Sequence, residues 1–472
     1  MYVRWLCLLF VVILVGAAPA TSDLLARAAH ASGRPWRFHI LSHIAGTQTR
    51  IDEQGNIVVT QRCRGVVCQG TLVNAERGQV SFLSYNETPI LQSVPLDRLQ
   101  ITLRAIVSYE FTSPEFIANG GTVVALAERR MEGAEVAPYA VTAPHGAELD
   151  ALLDPVTGLL VGVAHGDRVV YRYEDQRQIG PLTLPFDIVR GDGTSETFDD
   201  RRILETPLRL PSGPRVSFAI PSETIALEPG ILPRFPCRIE HVAARCVLDT
   251  GAPGLAMSLD LADRLGKKLV GAIDLEGLGT MSSGVVSADG LTLGSMRIGP
   301  ALFAILPDVG GFGADVLVGS DVIARAVVRV DPKHHAIAFE PPGTQLEGSF
   351  VPLSFDGLTP SVPIRLEGAT QNLVLDTGDN ASIDLSADFE RTHPGLVAPE
   401  ARGNVIGVGG IGTRSMGHVG HVEFAGLAFT SVPADVTHGP RLPASRIGSA
   451  FLSHFAFDLD YTELRMSVRP PR

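Results

Sequence analysis

The sequence feature that most constrains the fold is a pentapeptide, Val-Leu-Asp-Thr-Gly, that occurs twice in this chain of 472 residues. It stands at 247–251 and again at 374–378, each time at the end of an apolar run. Such a run predicts a buried strand that ends in a tight turn, because glycine permits the close backbone approach that the turn requires. Two interpretations follow: the turn unit is duplicated only for packing, or Asp249 and Asp376 meet in the folded chain.

The sequences around the two pentapeptides also repeat. The first repeat, residues 236–340, contains an apolar hairpin, the Asp-Thr-Gly turn, the helix-like "SLDLADRLG", the glycine-rich "EGLGTMSSG" and the closing segment "DVLVGSDVIARAVV". The second repeat, residues 362–468, has the same order, with "DLSADFERTHPG", "VIGVGGIGT" and "SRIGSAFLSHFAF" in the corresponding places. Matching order and spacing over two long segments indicates an internal duplication.

Proline-rich joints divide the chain into four predicted parts. The segments "TPLRLPSGPR" and "FEPPGTQLEG" read as connectors, because proline removes backbone donors from a sheet. We expect a signal peptide at 1–20, an accessory β-rich domain at 21–206, and two lobes at 207–345 and 346–472. Short alternating runs such as "GNIVVTQ" indicate a sheet in the accessory domain, and its residues do not reveal a role.

Composition favours a mostly β protein that does not bind nucleic acid. The 49 glycines and 33 prolines are spread along the chain, which is typical of many short strands joined by tight turns. Hydrophobic residues make up 45% of the chain, enough for more than one domain with its own core. A formal net charge of −12, without a dense Lys/Arg block, argues against a phosphate-backbone partner.

The first twenty residues are typical of an export signal. Arg4 precedes an almost wholly apolar run at 6–15, and Ala18-Pro19-Ala20 offers small residues for a signal peptidase. The alternative is an uncleaved membrane anchor, but the run is shorter than the ~20 residues that span a bilayer. We expect an exported protein, periplasmic or secreted, without a stable membrane span after cleavage.

Four cysteines remain after the predicted signal peptide, in two local pairs. Cys63 and Cys68 bracket one turn, and Cys237 and Cys246 bracket another, so each pair would close a hairpin in an oxidising compartment. Reduced buried thiols or a zinc site are the alternatives. Neither spacing matches a zinc knuckle, and we expect no metal.

Two aspartates on facing turns can activate water. Carboxylates that lie close together cannot both ionise, so they share one proton. The ionised member can then act as general base on water while the protonated member donates to a carbonyl oxygen, without a covalent intermediate. Thr250 and Thr377 would hydrogen-bond across the axis and hold the two turns together.

The "LDTGA" and "LDTGD" motifs, each followed by a segment that ends in glycine ("LVG" at 317–319, "RIG" at 446–448), resemble aspartic proteases of the retropepsin type. The copies are short, so the chain is similar to bacterial single-chain proteins that fuse two such subunits. The resemblance covers roughly residues 215–470 and implies a bilobal β fold and hydrolysis of peptide bonds in a peptide or protein substrate, with no cofactor. It implies these site residues: Asp249 and Asp376 as the catalytic dyad, Thr250, Gly251, Thr377 and Gly378 as its supports, and Gly277, Gly279, Gly407, Gly409 and Gly410 in two flaps. Because both motifs lie in one chain, we expect a monomer.

The second copy departs from the family pattern in two places. Asp379 stands where the first copy has Ala252, and Arg446 interrupts the apolar pair before the closing glycine. A third carboxylate beside the dyad either raises the apparent pKa values of the dyad or points into solvent without effect. Neither predicted flap carries an aromatic gate residue.

An inactive retropepsin-like protein of the cell envelope, which binds peptide or lipid without cutting it, is the main alternative, because function depends on the site and not on the fold. "GVGGIG" at 407–412 satisfies a dinucleotide-binding pattern, but a strand-like stretch follows it instead of a helix. His418 and His421 are three residues apart on a predicted strand, which places their rings on opposite faces.

Overall fold

The computed structural model describes residues 18–31, 39–44, 46–52, 56–74, 78–92, 98–131, 133–204, 209–307, 312–438 and 444–469. The fold is mostly β, as the sequence predicts. The predicted signal peptide lies outside the described residues except for Ala18–Ala20, and so do the first three residues, 206–208, of the proline-rich joint. Among the described residues, no helix is both long and apolar enough to cross a membrane.

The chain forms two compact units. The first unit comprises residues 1–59, 73–79 and 95–209, and the second comprises 60–72, 80–94 and 210–472. The second unit therefore contains both repeats and also two short pieces from the first quarter of the chain. This interleaving is not evident from the sequence, and the division into four parts remains a prediction.

The first unit is built on an antiparallel sheet with the strand order β14-β13-β12-β11-β10-β9-β7, and β8 pairs with β9 beside it. Helices α1 and α2 contribute to the core with Leu24, Ala28 and Ile106, which pack with sheet residues such as Leu153 and Val163. Its helices are α1 (Ala18–Ala31), α2 (Arg98–Val107), a 3₁₀ turn (Glu110–Thr112) and α3 (Pro114–Ala118). Its strands are β1 (His39–Ile44), β2 (Thr47–Ile51), β7 (Thr122–Ala125), β8 (Arg129–Met131), β9 (Ala134–Thr142), β10 (Leu149–Leu153), β11 (Leu160–His165), β12 (Arg168–Ile179), β13 (Leu182–Arg190), β14 (Ser195–Thr197) and β15 (Asp200–Leu204).

Four strands come from residues 57–91, where successive segments of the chain belong alternately to the first and the second unit. They are β3 (Ile57–Cys63), β4 (Val66–Asn74), β5 (Gln79–Leu83) and β6 (Pro89–Leu91). In the second unit, β5 pairs with β6 in antiparallel register from Ser81 opposite Leu91 to Leu83 opposite Pro89. The turn between these two strands, residues 84–88, packs on the first repeat.

The first repeat supplies most of a ten-stranded sheet with the order β16-β24-β23-β18-β19-β26-β20-β25-β22-β21. Strand β19 alternates between half-buried and exposed residues at first, and its last three residues are all buried because β18 and β26 flank it. The elements of this part are β16 (Val216–Phe218), β17 (Thr224–Ala226), β18 (Arg234–Ile239), β19 (Val242–Leu248), β20 (Ala256–Met257), α4 (Leu259–Arg264), β21 (Leu269–Glu276), β22 (Thr280–Ala288), β23 (Leu291–Leu293), β24 (Met296–Ile298), β25 (Ala301–Ile305), β26 (Val316–Val318), α5 (Ser320–Ile323), β27 (Val327–Asp331) and β28 (Ala336–Glu340).

The second repeat supplies an eight-stranded sheet with the order β30-β31-β32-β37-β33-β36-β35-β34. A third sheet, β17-β28-β27-β38-β39-β29, combines strands of both repeats. The elements are β29 (Ser349–Pro352), β30 (Ser354–Asp356), β31 (Thr359–Leu366), β32 (Ala369–Asp376), β33 (Ile383–Ser386), α6 (Ala387–Thr392), β34 (Ala401–Gly407), β35 (Gly410–Phe424), β36 (Leu427–His438), β37 (Arg446–Gly448), α7 (Ser449–Leu452), β38 (Ala456–Asp460) and β39 (Arg465–Arg469).

The two repeats have the same strand topology around their Asp-Thr-Gly turns. In the first, β19 runs parallel to β26, β20 pairs antiparallel with β26, and β20 also runs parallel to β25. In the second, β32, β37, β33 and β36 form the same set of pairings. Each arrangement sets the strand that leads into the motif beside the strand that leads to the closing glycine.

Candidate active site

The two Asp-Thr-Gly turns face each other and are joined by reciprocal hydrogen bonds. The backbone N–H of Thr250 donates to Oγ1 of Thr377 at 3.0 Å, and the N–H of Thr377 donates to Oγ1 of Thr250 at 2.9 Å. Each threonine hydroxyl then donates across the pair, Thr250 to the carbonyl of Leu375 at 2.5 Å and Thr377 to that of Leu248 at 2.9 Å. Both threonines are buried, so these four bonds fix one turn against the other.

The glycine of each turn lies against the carboxylate of the opposite turn. A Cβ atom on Gly251 would lie 2.6 Å from Cγ of Asp376, and a Cβ on Gly378 would lie 2.4 Å from Cγ of Asp249. Both distances are shorter than a carbon–carbon contact allows. Only glycine therefore fits at these two positions while the carboxylates remain side by side.

Asp249 is buried beside the second carboxylate. Its Oδ1 accepts hydrogen bonds from the backbone N–H groups of Gly251 at 2.9 Å and Ala252 at 3.1 Å. Burial, followed by the negative charge of Asp376, raises the pKa of Asp249 well above its usual range, and the two carboxyl groups share a hydrogen bond. The pair therefore retains one proton at pH values where an exposed aspartate has lost its own.

Asp376 has an additional partner that Asp249 does not have among the described residues. Its Oδ1 accepts from the N–H of Gly378 at 3.0 Å, and its Oδ2 accepts from Nη1 of Arg446 at 2.9 Å. Arg446 is largely buried, so this ion pair lies in a region of low dielectric where its attraction is strong. The residue that weakens the apolar motif in the sequence is thus a cation in direct contact with the dyad.

Two further carboxylates surround Arg446. The Oδ2 atoms of Asp379 and Asp384 each lie 3.8 Å from Nε of Arg446. Burial, followed by the charge of Asp376, raises the pKa of Asp379 to about 7, while Arg446 acts in the opposite direction. Burial also raises the pKa of Asp384. Asp379 therefore faces the charged cluster and not the solvent.

The glycine-rich segments form the tips of two hairpins that meet. The N–H of Gly279, between β21 and β22, donates to the carbonyl of Val408, between β34 and β35, at 3.2 Å. A Cβ on Gly277 would lie 2.6 Å from the same carbonyl oxygen, and Gly409 lies against Gly279 with a φ of +79°. A Cβ on Gly410 would meet nothing within 4 Å. The five predicted flap glycines thus belong to two tips that touch, and their role as flaps remains a prediction.

A buried carboxylate beyond the dyad holds residues 84–88 in place. Asp321, which follows the closing glycine of the first repeat, accepts hydrogen bonds from the hydroxyl of Ser84 and from Nδ2 of Asn86. The backbone N–H of Leu255 also donates to it, at 3.2 Å. The hydroxyl of Tyr85 donates to the carbonyl of Leu255. This anchor is the physical basis for assigning residues 80–94 to the second unit.

Both predicted cysteine pairs are disulfides in the structure. Cys63 is bonded to Cys68 and Cys237 to Cys246. The second disulfide joins β18 to β19, the strand that leads to Asp249, and it restrains that hairpin. Among the described residues, no group of three or more His, Cys, Asp and Glu side chains could hold a metal ion.

Residues 235–322 match a family model described as aspartyl protease. The match supports an aspartyl protease-like domain. The matched segment extends from β18 to α5 and includes Asp249, Thr250 and Gly251. No curated protein matches the chain. The aspartyl protease match supports the function only at the level of the family, and it ends before the second Asp-Thr-Gly turn.

The sequence motifs do not identify three residues near the dyad. No motif assigns a role to Asp384 or Tyr461, and Arg446 stands out in the sequence only as a departure from the apolar pair before the closing glycine. Burial, followed by the charge of Asp249, raises the pKa of Tyr461 well above its usual range, so this phenol remains neutral. Comparison of the two repeats position by position would have identified Arg446 and Asp384, because the first repeat has apolar residues there.

Proposed function

We propose that the second unit is an aspartic endopeptidase that hydrolyses peptide bonds with one dyad built from both repeats of a single chain. The observation that carries the proposal is the reciprocal bonding of Thr250 and Thr377, which sets the carboxylates of Asp249 and Asp376 side by side. The retained proton supports it as well, since water activation requires one ionised and one protonated carboxyl group.

The two carboxyl groups can carry out both steps of hydrolysis. The ionised carboxyl group accepts a proton from water as the water oxygen attacks the scissile carbonyl carbon, and the protonated carboxyl group gives its proton to the carbonyl oxygen. In the resulting gem-diol, one hydroxyl returns a proton to the group that protonated the carbonyl oxygen, the other carboxyl group protonates the leaving nitrogen, and the C–N bond breaks. The products are a carboxylic acid and an amine, and the dyad returns to its starting protonation state.

A second candidate function is supported by the position of Arg446. Its guanidinium donates a hydrogen bond to Oδ2 of Asp376, whereas the N–H of Gly378 donates to the other oxygen, Oδ1. If Arg446 prevented Oδ2 from accepting a hydrogen bond from water, the protein would be an inactive retropepsin-like protein that binds peptide or lipid. A carboxylate oxygen has a second lone pair, however, and can accept from Arg446 and from water together. The endopeptidase is therefore the better supported candidate.

The proposed setting is outside the cytoplasm, in the periplasm or the medium. Two disulfides are compatible with an oxidising compartment, where such bonds persist. The proposed substrate is a peptide or protein, and the proposed active species is a monomer that needs no cofactor.

Cleavage of a quenched-fluorescence peptide library by the purified protein, followed across acid to mildly alkaline pH, tests the proposal. We expect cleavage that a statine-type inhibitor blocks and that Asp249→Asn abolishes. Asp260→Asn is the matched control, because this aspartate is exposed in α4 and forms an ion pair with Arg264 at the surface. A folded protein that binds peptide but cuts none at any pH would favour the second candidate.

A further inference from the structure

The second repeat carries charges where the first repeat is apolar. In the first repeat, Ala256 of β20 lies opposite Leu317 of β26, and both are buried in one apolar cluster. In the second repeat, the corresponding register places Asp384 of β33 opposite Arg446 of β37. The third residue after the dyad aspartate is likewise apolar in the first repeat, Ala252, and acidic in the second, Asp379.

Arg446 has one firm partner within this cluster. Its Nη1 lies 2.9 Å from Oδ2 of Asp376, whereas its Nε lies 3.8 Å from both Asp379 and Asp384. Among the described residues, Nε of Arg446 is buried and has no hydrogen-bond partner. The charged and titratable groups around the cluster are Asp249, Asp376, Asp379, Asp384, Arg414, Asp435, Arg446 and Tyr461.

We propose that Arg446 is a positioning residue that makes the dyad unequal, so that Asp376 is the ionised general base and Asp249 carries the shared proton. The inference rests on the proposed function, and it adds which carboxylate has which role. A buried cation in contact with one of two coupled carboxylates stabilises the negative charge on that carboxylate more than on the other. Asp249 accepts hydrogen bonds from two backbone N–H groups and has no ion pair with a cation among the described residues, so it is left to hold the proton.

Asp379 and Asp384 act against Arg446. Each ionised carboxylate near the guanidinium offsets part of its attraction for Asp376 and adds a repulsive charge next to the dyad. Burial raises the pKa of Asp379 to about 7, so in mildly acid solution Asp379 is neutral. Arg446 then acts mainly on Asp376. The two dyad carboxyl groups therefore differ most in proton affinity in the pH range where aspartic-type catalysis needs one proton.

Carbon-13 NMR of aspartate-labelled protein, combined with pH profiles of kcat/KM, tests this assignment. Asp249→Asn and Asp376→Asn assign the two carboxyl signals. In the native protein we expect Asp376 to ionise first while Asp249 remains protonated. Arg446→Met should abolish this order and move both limbs of the profile to higher pH by about one unit or more, because a cation near the dyad has been removed.

A second variant covers the case in which Arg446→Met does not fold, since it leaves buried carboxylates without their cation. The triple variant Arg446→Leu, Asp379→Ala and Asp384→Ala gives the second repeat the apolar pattern of the first. We expect its two dyad carboxyl groups to titrate alike.

The outcomes separate this inference from the proposed function. If Asp376 still ionises first in the folded Arg446→Met or triple variant, or if Asp249 ionises first in the native protein, the role of Arg446 is wrong, whether or not peptides are cut. If the NMR order changes as expected but the native protein cuts no peptide, the charge assignment stands and the endopeptidase proposal fails.

Discussion

Each carboxylate of the pair is held on one oxygen by backbone N–H groups, and the two differ in what surrounds the other oxygen. The other oxygen of Asp376 contacts Arg446, and the guanidinium of Arg446 also lies near the carboxylates of Asp379 and Asp384. The paired motifs in the sequence predict which aspartates meet, since a buried strand and a glycine turn are local features. They do not predict the ion pair, because Arg446 is 70 residues from Asp376 and reaches it only through the pairing of β37 with β32.

Replacement of Asp379 by Ala should modulate the pH profile of the proposed peptidase activity without abolishing that activity. Asp379 is neutral in mildly acid solution and becomes negatively charged as the pH rises through about 7, and that charge opposes loss of the proton that the dyad retains. We expect the basic limb of the kcat/KM profile to move to lower pH and the acid limb to stay in place. Asp388→Ala, an exposed position in α6, is the control and should leave the profile unchanged. Complete loss of turnover in a folded Asp379→Ala protein would mean that Asp379 is part of the catalytic machinery.

The strands that carry the dyad are the best-predicted elements. The apolar ends of β19 and β32 are buried because another strand lies on each side, which is what an unbroken apolar run before a turn indicates. The contact between the two glycine-rich tips was not predictable in the same way. It depends on how hairpins from separate repeats meet in space, and single-sequence patterns report only local periodicity.

The hairpin tips allow a test with a matched pair of glycines. A Cβ on Gly279 would lie 2.3 Å from the carbonyl oxygen of Gly409, a backbone atom that cannot move aside cheaply. Gly279→Ala should therefore separate the tips and lower kcat/KM by about tenfold or more, since misplacement of a substrate-positioning element is costly. Gly410→Ala should change little, because its Cβ meets nothing within 4 Å.

Both variants should keep the native unfolding temperature to within a few degrees, which circular dichroism would measure. Equal activity of Gly279→Ala and Gly410→Ala would show that contact between the tips is not needed for turnover.

At the scale of the whole molecule, the sequence predicts a mostly β chain with a duplicated part, and the structure confirms the β class. The sequence does not predict that residues 60–72 and 80–94 belong to the second unit. That assignment depends on long-range contacts such as the bonds from Ser84 and Asn86 to the buried carboxylate of Asp321. A polar residue on an apparent turn gives no sign of so distant a partner.

The buried aspartates also predict how the stability of the molecule depends on pH. The pKa of Asp379 is about 7 in the folded protein and about 4 in an unfolded chain, so the folded state binds its proton more tightly. This stabilisation is complete below about pH 4 and is lost as the pH rises through 7. In Asp379→Asn, the fall in unfolding free energy between these values should be shallower by up to about 1.4 kcal/mol per pH unit.

Urea unfolding at several pH values would measure that slope for the native protein, for Asp379→Asn and for the exposed control Asp388→Asn. The control should retain the native slope. If Asp379→Asn has the native slope as well, Asp379 is ionised in the folded protein throughout this range.

The central claim is that Asp249 and Asp376 of one chain form one dyad, and mixing the two single Asn variants tests it most directly. Each variant alone should be folded and several orders of magnitude less active, because no lone carboxylate serves as both base and acid. The account predicts that the mixture remains inactive and that the active native protein elutes as a monomer. Recovery of activity on mixing, or near-normal turnover of Asp376→Asn alone, would contradict it.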